Sequence, residues 1–140
     1  MVTRAMEDYL EAIYWLSKEK GSAKISEISQ LMNVRLPSVS EMMKRLKAKG
    51  LVEYKPYGKI ILTQKGLEIA EKVAACHELL ANFFISLGVD ERIAIEDACK
   101  VEHDLHPDTL KKLRSFIKFV TERSIFAEFS SYVSEKEADQ

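Results

Sequence analysis

The sequence predicts a mainly α-helical chain of two domains, interrupted by one short β-hairpin. Three observations support this fold class. Apolar residues recur three and four positions apart through most of the 140 residues, which is the period of a helix buried on one face. The exception is LVEYKPYGKIILT, where the pattern becomes strand-like around a Pro-Tyr-Gly turn. Hydrophobic residues make up 46% of the chain, which is typical of globular proteins and argues against disorder.

The first fifty residues contain three predicted helices. The first includes MEDYLEAIYWL and ends at Gly21, and the second begins near Ser26, a candidate N-cap. A turn at 33–35 precedes the third helix, whose first turn contains Pro37 and which ends at Gly50. Its apolar stripe leaves a small polar and basic face outward.

This outward face and the following hairpin are typical of a winged helix-turn-helix domain, predicted at 1-63, whose third helix enters the major groove of DNA. The strands are expected at Leu51–Lys55 and Lys59–Thr63. The alternative is a small helical domain with a solvated face. The predicted DNA-binding residues lie on the third helix, in the turn before it and at the hairpin tip, where they would contact phosphates and base edges. They are Arg35, Pro37, Ser38, Ser40, Lys44, Arg45, Lys47, Lys55, Tyr57 and Lys59.

Four more helices are predicted in a C-terminal all-helical domain at 64-140. A connecting helix covers 64-87, two further helices cover 90–104 and 107–123, and IFAEFSSYV forms a last short helix before a frayed end. This half contains more aromatic residues than its own core needs, which predicts a homodimer interface. The predicted interface residues are Leu110, Leu113, Phe116, Ile117, Val120, Phe126 and Phe129.

Charge differs between the two halves of the chain. Residues 1–62 contain 11 Lys and Arg against 7 Asp and Glu, and residues 63–140 contain 10 against 15. A basic half suits a polyanion, and an acidic half suits metal binding. We expect a cytoplasmic protein without membrane association, because there is no long apolar run, no signal-peptide core and too few cysteines for a disulfide framework.

Side chains of the types that bind metals occur in two groups. Asp8 and Glu11 are three residues apart and share one face of the first helix. Cys99, Glu102 and His103 have i, i+3, i+4 spacing and share a face of a later helix. Carboxylate, thiolate and imidazole groups arranged in this way are typical of transition-metal sites.

His77 is the sixth candidate ligand, on the otherwise apolar face of the connecting helix. A lone histidine there is more often a core residue with one hydrogen bond, but the other two groups favour ligation. A divalent cation would also offset the cost of burying several carboxylates. In the alternative interpretation, Asp8 and Glu11 are solvated and Cys99 is a small buried hydrophobe.

The chain resembles the diphtheria toxin repressor and manganese transport regulator family of metal-dependent repressors along nearly its whole length. MEDYLEAIYWL is similar to the first helix of manganese-type members, HELL contains the family ligand position at His77, and EDACKVEH matches the segment that supplies three more ligands. The resemblance implies a homodimer that represses metal-homeostasis genes. It would bind a palindromic double-stranded operator with a divalent metal as co-repressor, in a two-domain form without an SH3-like domain.

The chain combines features of two classes within this family. Manganese-type members have glutamate at the position of Cys99, where iron-type members have cysteine. Iron-type members have methionine at the position of Asp8 and no carboxylate at that of Glu11. Ala81 and Ile95 replace the ligands of the iron-type ancillary site. A thiolate favours softer ions and carboxylates favour harder ones, so Fe(II) is expected first and Mn(II) next.

The expected mechanism is that metal bound by both groups fixes the angle between the domains and therefore the spacing of the recognition helices. One alternative is a winged-helix regulator that responds to a small organic ligand. Another is a metalloenzyme with Glu11 or Glu102 as general base, although no nucleophile motif or glycine-rich loop supports it. His106 is either an extra ligand or a helix-end residue.

Overall fold

A computed structural model describes residues 1–139, and within them the chain forms seven α-helices and one two-stranded sheet. The predicted fold class is therefore confirmed. The helices are α1 (Arg4–Lys20), α2 (Ile25–Met32), α3 (Leu36–Ala48), α4 (Gln64–Ser86), α5 (Glu91–Asp104), α6 (Pro107–Glu122) and α7 (Ile125–Ala138), and the strands are β1 (Val52–Lys55) and β2 (Lys59–Leu62). None of these helices is long and apolar enough to cross a bilayer.

The described chain divides into two compact units. The first is Met1–Ala74, and the second begins at Ala75. The boundary falls inside α4, so this helix contributes its first turns to one unit and its later turns to the other. The division into functional domains at 1-63 and 64-140 stays a prediction.

Local hydrogen bonds set the ends of the first two helices. Thr3 Oγ1 accepts from the Met6 N–H at 3.2 Å and caps α1, and Gly21 ends that helix in the left-handed conformation. The N-cap of α2 is Lys24, so the expectation that Ser26 would cap this helix is wrong. The helix begins earlier because a Glu27 carboxylate oxygen accepts from the Lys24 backbone N–H at 3.0 Å.

The core of the first unit lies between α1, α2, α3 and the sheet. α3 begins after Arg35, with Pro37 in its first turn as expected. Its stripe of Val39, Met43 and Leu46 is fully buried. These side chains belong to one cluster with buried residues of α1, α2 and both strands, which holds α3 with its polar face outward.

The base of the hairpin is attached to the core. Val52 pairs with Leu62 and Lys55 with Lys59 in an antiparallel register, with 56–58 forming a short 3₁₀ turn between the strands. Ala23, between α1 and α2, exchanges two backbone hydrogen bonds with Ile60, at 3.0 and 2.7 Å. The hairpin therefore has a fixed base and an exposed tip.

The start of α4 is held against the turn between α3 and β1. Thr63 Oγ1 donates to the Gly50 carbonyl at 2.7 Å and accepts from the Gly66 N–H at 3.1 Å. Gly66 lies so close to this turn that an added Cβ would be 2.1 Å from the Leu51 carbonyl oxygen. Only glycine fits here without a shift of the backbone.

The second unit has its own small core, to which α4, α5 and α6 contribute Cys76, Leu80, Ala81, Ala98 and Ile117. The Nδ1 atom of His106 accepts from the Asp108 N–H at 3.1 Å and caps α6, so His106 is a helix-end residue. α7 continues to Ala138 and is longer than the predicted short helix. The segment EKEA, expected to fray, consists of good helix formers and extends it.

Candidate metal centre and DNA-binding face

Three of the six predicted ligands come together in the second unit. His77 lies on α4, and Cys99 and His103 lie one turn apart on α5. One ligand atom from each side chain lies within 4.8 Å of the other two. The two imidazole rings are 5.9 Å apart and nearly perpendicular. All three side chains are half-buried.

Glu102 adds a carboxylate to this cluster. Its Oε2 atom contacts His77 Nε2, and its side chain is only 8% exposed. These two atoms and His103 Nε2 are buried from solvent. Two nitrogens, one sulfur and one carboxylate form a donor set that suits a divalent transition metal, and a cation would offset the cost of burying the carboxylate. The residues present therefore fit a metal ion.

Asp8 and Glu11 lie in the first unit. The spacing prediction places them on one face of α1, and both are half-buried. Because they belong to the other unit, their part in metal binding stays a prediction. The side chains of Ala81 and Ile95, at the positions that the resemblance assigns to an ancillary site, have no atoms that could bind a metal.

The predicted DNA-binding residues of α3 lie mostly at the surface. Ser38, Lys44, Arg45 and Lys47 are exposed and Ser40 is half-buried. The predicted residues that precede them, Arg35 and Pro37, are also exposed. Basic groups and small polar groups on one helix face suit the phosphates and base edges of a major groove.

Lys47 also connects α3 with the hairpin. Its Nζ atom lies 5.1 Å from the centre of the Tyr54 ring on β1, which is a cation–π contact. Burial raises the pKa of Tyr54 above its ordinary value, so the phenol stays neutral beside the ammonium group. The sequence interpretation did not include Tyr54, although alternation along β1 places it on the same face as the buried Val52.

The hairpin tip combines two lysines with an aromatic ring. Lys55 Nζ lies 3.4 Å from Glu53, and Lys59 is exposed on the other strand. Tyr57 is 92% exposed and has a φ of 67°, in the left-handed region. The tip therefore presents positive charge and an apolar ring to the surroundings of the domain, as a wing along a phosphate backbone would require.

The predicted dimer residues differ in what they can offer a partner. Ile117 is 1% exposed and Val120 is also buried, so both already serve the core of a single chain. Leu110, Leu113, Phe126 and Phe129 are half-buried. Phe116 is 54% exposed and has the most surface left for an interface. The interface itself stays a prediction.

A winged helix-turn-helix domain, joined in one chain to a cluster of imidazole, thiolate and carboxylate groups that could hold a metal ion, is typical of metal-dependent transcriptional regulators. The comparisons with known proteins give the family. Residues 1–60 match the model "Iron dependent repressor, N-terminal DNA binding domain". Residues 63–124 match "Iron dependent repressor, metal binding and dimerisation domain". The chain belongs to the iron-dependent repressor family.

Curated relatives agree with this assignment. An uncharacterized HTH-type transcriptional regulator of Methanocaldococcus jannaschii is 40% identical over 119 residues, which are 84% of this chain and 95% of that protein. The HTH-type transcriptional regulator MntR of Bacillus subtilis is 34% identical over 122 residues, 87% of this chain and 86% of that one.

Solved structures show the same fold. The manganese regulator SloR has a TM-score of 0.69 and 29% identity, covering 85% of this chain and 55% of that one. The manganese-activated repressor ScaR in its apo form has a TM-score of 0.66 and 31% identity, with coverage of 81% and 53%. This chain therefore spans about half the length of these solved chains.

These findings confirm the resemblance and its main consequences. The chain is a metal-dependent transcriptional regulator with a DNA-binding domain and a dimerisation domain, and it binds DNA as a homodimer. The family consists of regulators and not of enzymes, so the metalloenzyme alternative is excluded.

Proposed function

We propose that this chain is a cytoplasmic repressor of metal-homeostasis genes, which binds a palindromic operator when a divalent metal is bound. The observation that carries the proposal is the cluster of potential ligand atoms on α4 and α5, which lie within 4.8 Å of one another. The same chain contains a DNA-binding domain in its first sixty residues. The proposed ligands are Asp8, Glu11, His77, Cys99, Glu102 and His103.

The candidate metals are Fe(II) and Mn(II). The Cys99 thiolate supports Fe(II), because thiolates raise the affinity for softer ions than Mn(II). The three carboxylates support Mn(II), and so does the similarity of this chain to the manganese regulator SloR and to the manganese-activated repressor ScaR. A direct ranking of the two metals in one assay decides between them.

The proposed response depends on ligands from both units. A bound cation would supply the positive charge that lets Asp8 and Glu11 share a site with ligands of the second unit. The first unit would then have fewer orientations open to it, and the ordering cost of binding DNA would fall. A metal can change the affinity for DNA only if the metal-bound and metal-free states of the protein differ in this ordering cost.

The proposed operator is palindromic because a symmetric dimer presents two identical DNA-binding domains. Its half-sites would lie about one helical turn apart, so that both α3 helices reach the same side of the duplex. The lysines and arginine of α3 and the wing would contact phosphates. Ser38, Ser40 and Arg35 would approach the bases.

The test uses DNA selected from a randomised duplex pool with the full-length protein in excess Mn(II). Affinity for the selected duplex is then measured anaerobically with Mn(II), with Fe(II) and with a chelator. Binding at least tenfold tighter with metal supports the proposal. Loss of this response in His77→Ala, with retention in the matched exposed variant Glu78→Ala, assigns the response to the site. Equal affinity with metal and with chelator would refute the proposal.

A further inference from the structure

Tyr54 on β1 lies beside the last turn of α3. The Nζ atom of Lys47 is 5.1 Å from the centre of its ring, a distance at which the negative face of the ring attracts an ammonium group. The ring is 38% exposed and Lys47 is also exposed, so the contact lies at the surface of the domain. It joins α3 to the wing, the two elements that are expected to bind DNA.

The backbone on both sides of this contact is fixed by the core of the first unit. Leu46 precedes Lys47, and Ile60 pairs with Tyr54 across the hairpin. Leu46 and Ile60 are fully buried in the same hydrophobic cluster. The ring therefore has a defined position relative to α3, and the mobile part of the pair is the four-carbon side chain of Lys47. A ring that restricts this side chain before DNA arrives lowers the ordering cost of a phosphate contact.

A ring differs from a carboxylate as a partner for a basic group. The Nε atom of Arg45 lies 3.8 Å from Glu41. The Nζ atom of Lys55 lies 3.4 Å from Glu53. A phosphate that binds either group must compete with a carboxylate whose charge also repels it. Burial raises the pKa of Tyr54 and keeps its phenol neutral, so this ring can position an ammonium group without cancelling its charge.

We propose that Tyr54 is a positioning residue for DNA binding, whose ring holds the Lys47 ammonium group at the junction of α3 and the wing for contact with a phosphate of the duplex. Lys47 makes the contact, and Tyr54 acts through Lys47. This inference rests on the phosphate contact assigned to α3 under the proposed function, and it does not depend on the metal response. The two side chains should therefore contribute to DNA affinity as a coupled pair.

The test is a double-mutant cycle in the full-length protein, measured on the duplex selected with Mn(II) and with Mn(II) in excess. Tyr54→Leu should weaken binding roughly fivefold or more, since the contact occurs twice in the homodimer. Lys47→Ala should weaken binding at least as much. In the Lys47→Ala background, Tyr54→Leu should have less than about a twofold further effect. Tyr54→Phe keeps the ring and should bind like the native chain.

Tyr132→Leu is the matched control. Lys136 lies 5.7 Å from the centre of the Tyr132 ring, which is the same kind of pair on α7, outside the DNA-binding domain at 1–60. This variant should bind DNA like the native chain. Circular dichroism and urea unfolding verify the fold of each variant.

Nuclear magnetic resonance of the native chain gives an independent test, which decides the matter if Tyr54→Leu does not fold. The ring current of Tyr54 should shift the ε-methylene protons of Lys47 upfield from those of Lys44, an exposed lysine of the same helix. The shift should persist when the duplex is bound, because the ring holds the ammonium group in the bound position.

Four results would overturn the inference. Native affinity in Lys47→Ala would remove the contact that the ring is proposed to position. An equal loss from Tyr54→Leu in the native and Lys47→Ala backgrounds would show that the ring acts independently of the lysine. An equal loss in Tyr54→Phe and Tyr54→Leu would assign the effect to the hydroxyl group. Disappearance of the upfield shift in the complex would place the ammonium group away from the ring.

The proposed function is tested separately, by repeating the native measurement with a chelator in place of Mn(II). Equal affinity in the two conditions would contradict the metal response, and the coupling between Tyr54 and Lys47 would still be measured by the cycle. Independent effects of the two side chains, together with metal-dependent binding, would contradict this inference alone.

Discussion

The Nε2 atom of His77 on α4 contacts the Oε2 atom of Glu102 on α5. The pair joins the two helices that supply the ligand cluster, at a place where the carboxylate is nearly inaccessible to water. Carboxylates in contact with imidazoles commonly orient the ring at metal sites and increase its basicity. In the proposed metal site, Glu102 would therefore act both as a donor and through its contact with His77.

Replacement of Glu102 by Gln is expected to weaken metal binding by about 10- to 100-fold, because it removes the negative charge beside His77 and keeps the side-chain shape. Competition with a chromogenic chelator measures the affinity. Glu96→Gln, at an exposed position of the same helix, is the matched control and should bind like the native chain. Equal affinities for the two variants would exclude Glu102 from the site.

Replacement of Cys99 by Glu should move the metal ranking toward Mn(II). A carboxylate is a harder ligand than a thiolate, so the affinity for Fe(II) and Co(II) should fall relative to that for Mn(II). The ratio of dissociation constants for Co(II) and Mn(II), measured for both proteins under anaerobic conditions, gives the result. An unchanged ratio would show that the Cys99 sulfur is not a ligand.

Gly66→Ala is expected to destabilise the first unit, although alanine normally favours a helix by about 1 kcal/mol over glycine. The added Cβ would lie 2.1 Å from the Leu51 carbonyl oxygen, and relief of such overpacking typically costs roughly 1–3 kcal/mol. Urea unfolding followed through Trp15, the single tryptophan of the chain, reports on this unit. Lys65→Ala, at the preceding exposed position, is the control. A more stable Gly66→Ala variant would contradict the close approach.

Lys44→Ala should weaken DNA binding more at low salt than at high salt. Lys44 is exposed on α3, and a homodimer that carries the substitution loses one phosphate contact per subunit, so the salt slope of log K is expected to fall by roughly 2. Affinities at several salt concentrations provide the slope. Lys112→Ala removes the same charge from an exposed position of α6, and its slope should equal the native value. Identical salt slopes for Lys44→Ala and Lys112→Ala would show that Lys44 does not contact a DNA phosphate.

Glu27 is expected to contribute to stability above pH 4.5. The Lys20 ammonium, which donates a hydrogen bond at 2.6 Å, lowers the pKa of Glu27 below its ordinary 4.5. The contribution is lost as the pH falls through the lowered pKa, so Glu27→Gln should differ from the native chain near neutrality and converge with it in acid. Urea unfolding through Trp15 from pH 3 to 7 tests this, with the exposed Glu71→Gln as control. If the stability difference between Glu27→Gln and the native chain persists in acid, it arises from packing and not from the charge of Glu27.

The sequence was sufficient to predict features that depend on residues close together in the chain. Gly21 and Pro37 marked helix ends, and the i, i+3, i+4 spacing of Cys99, Glu102 and His103 placed them on one helix. Such features follow from the helical period and from local backbone preferences.

Features that depend on packing between elements were not predictable in this way. The contact of His77 with Glu102 depends on how α4 lies against α5, which no local period encodes. The burial of Ile117 depends in the same way on α6 meeting the core of the second unit. Two errors were local: the Lys24 cap needed the Glu27 carboxylate to be recognised as its partner, and the length of α7 was underestimated.

Tyr57 has consequences for anyone who engineers this chain. Its left-handed backbone costs a residue other than glycine about 1–2 kcal/mol, and a ring that is 92% exposed recovers almost none of this by packing. Asparagine or glycine would relieve the strain. A library screened for heat resistance alone would therefore favour replacing this tyrosine, and the resulting thermostable variants would have lost the most prominent aromatic ring of the wing.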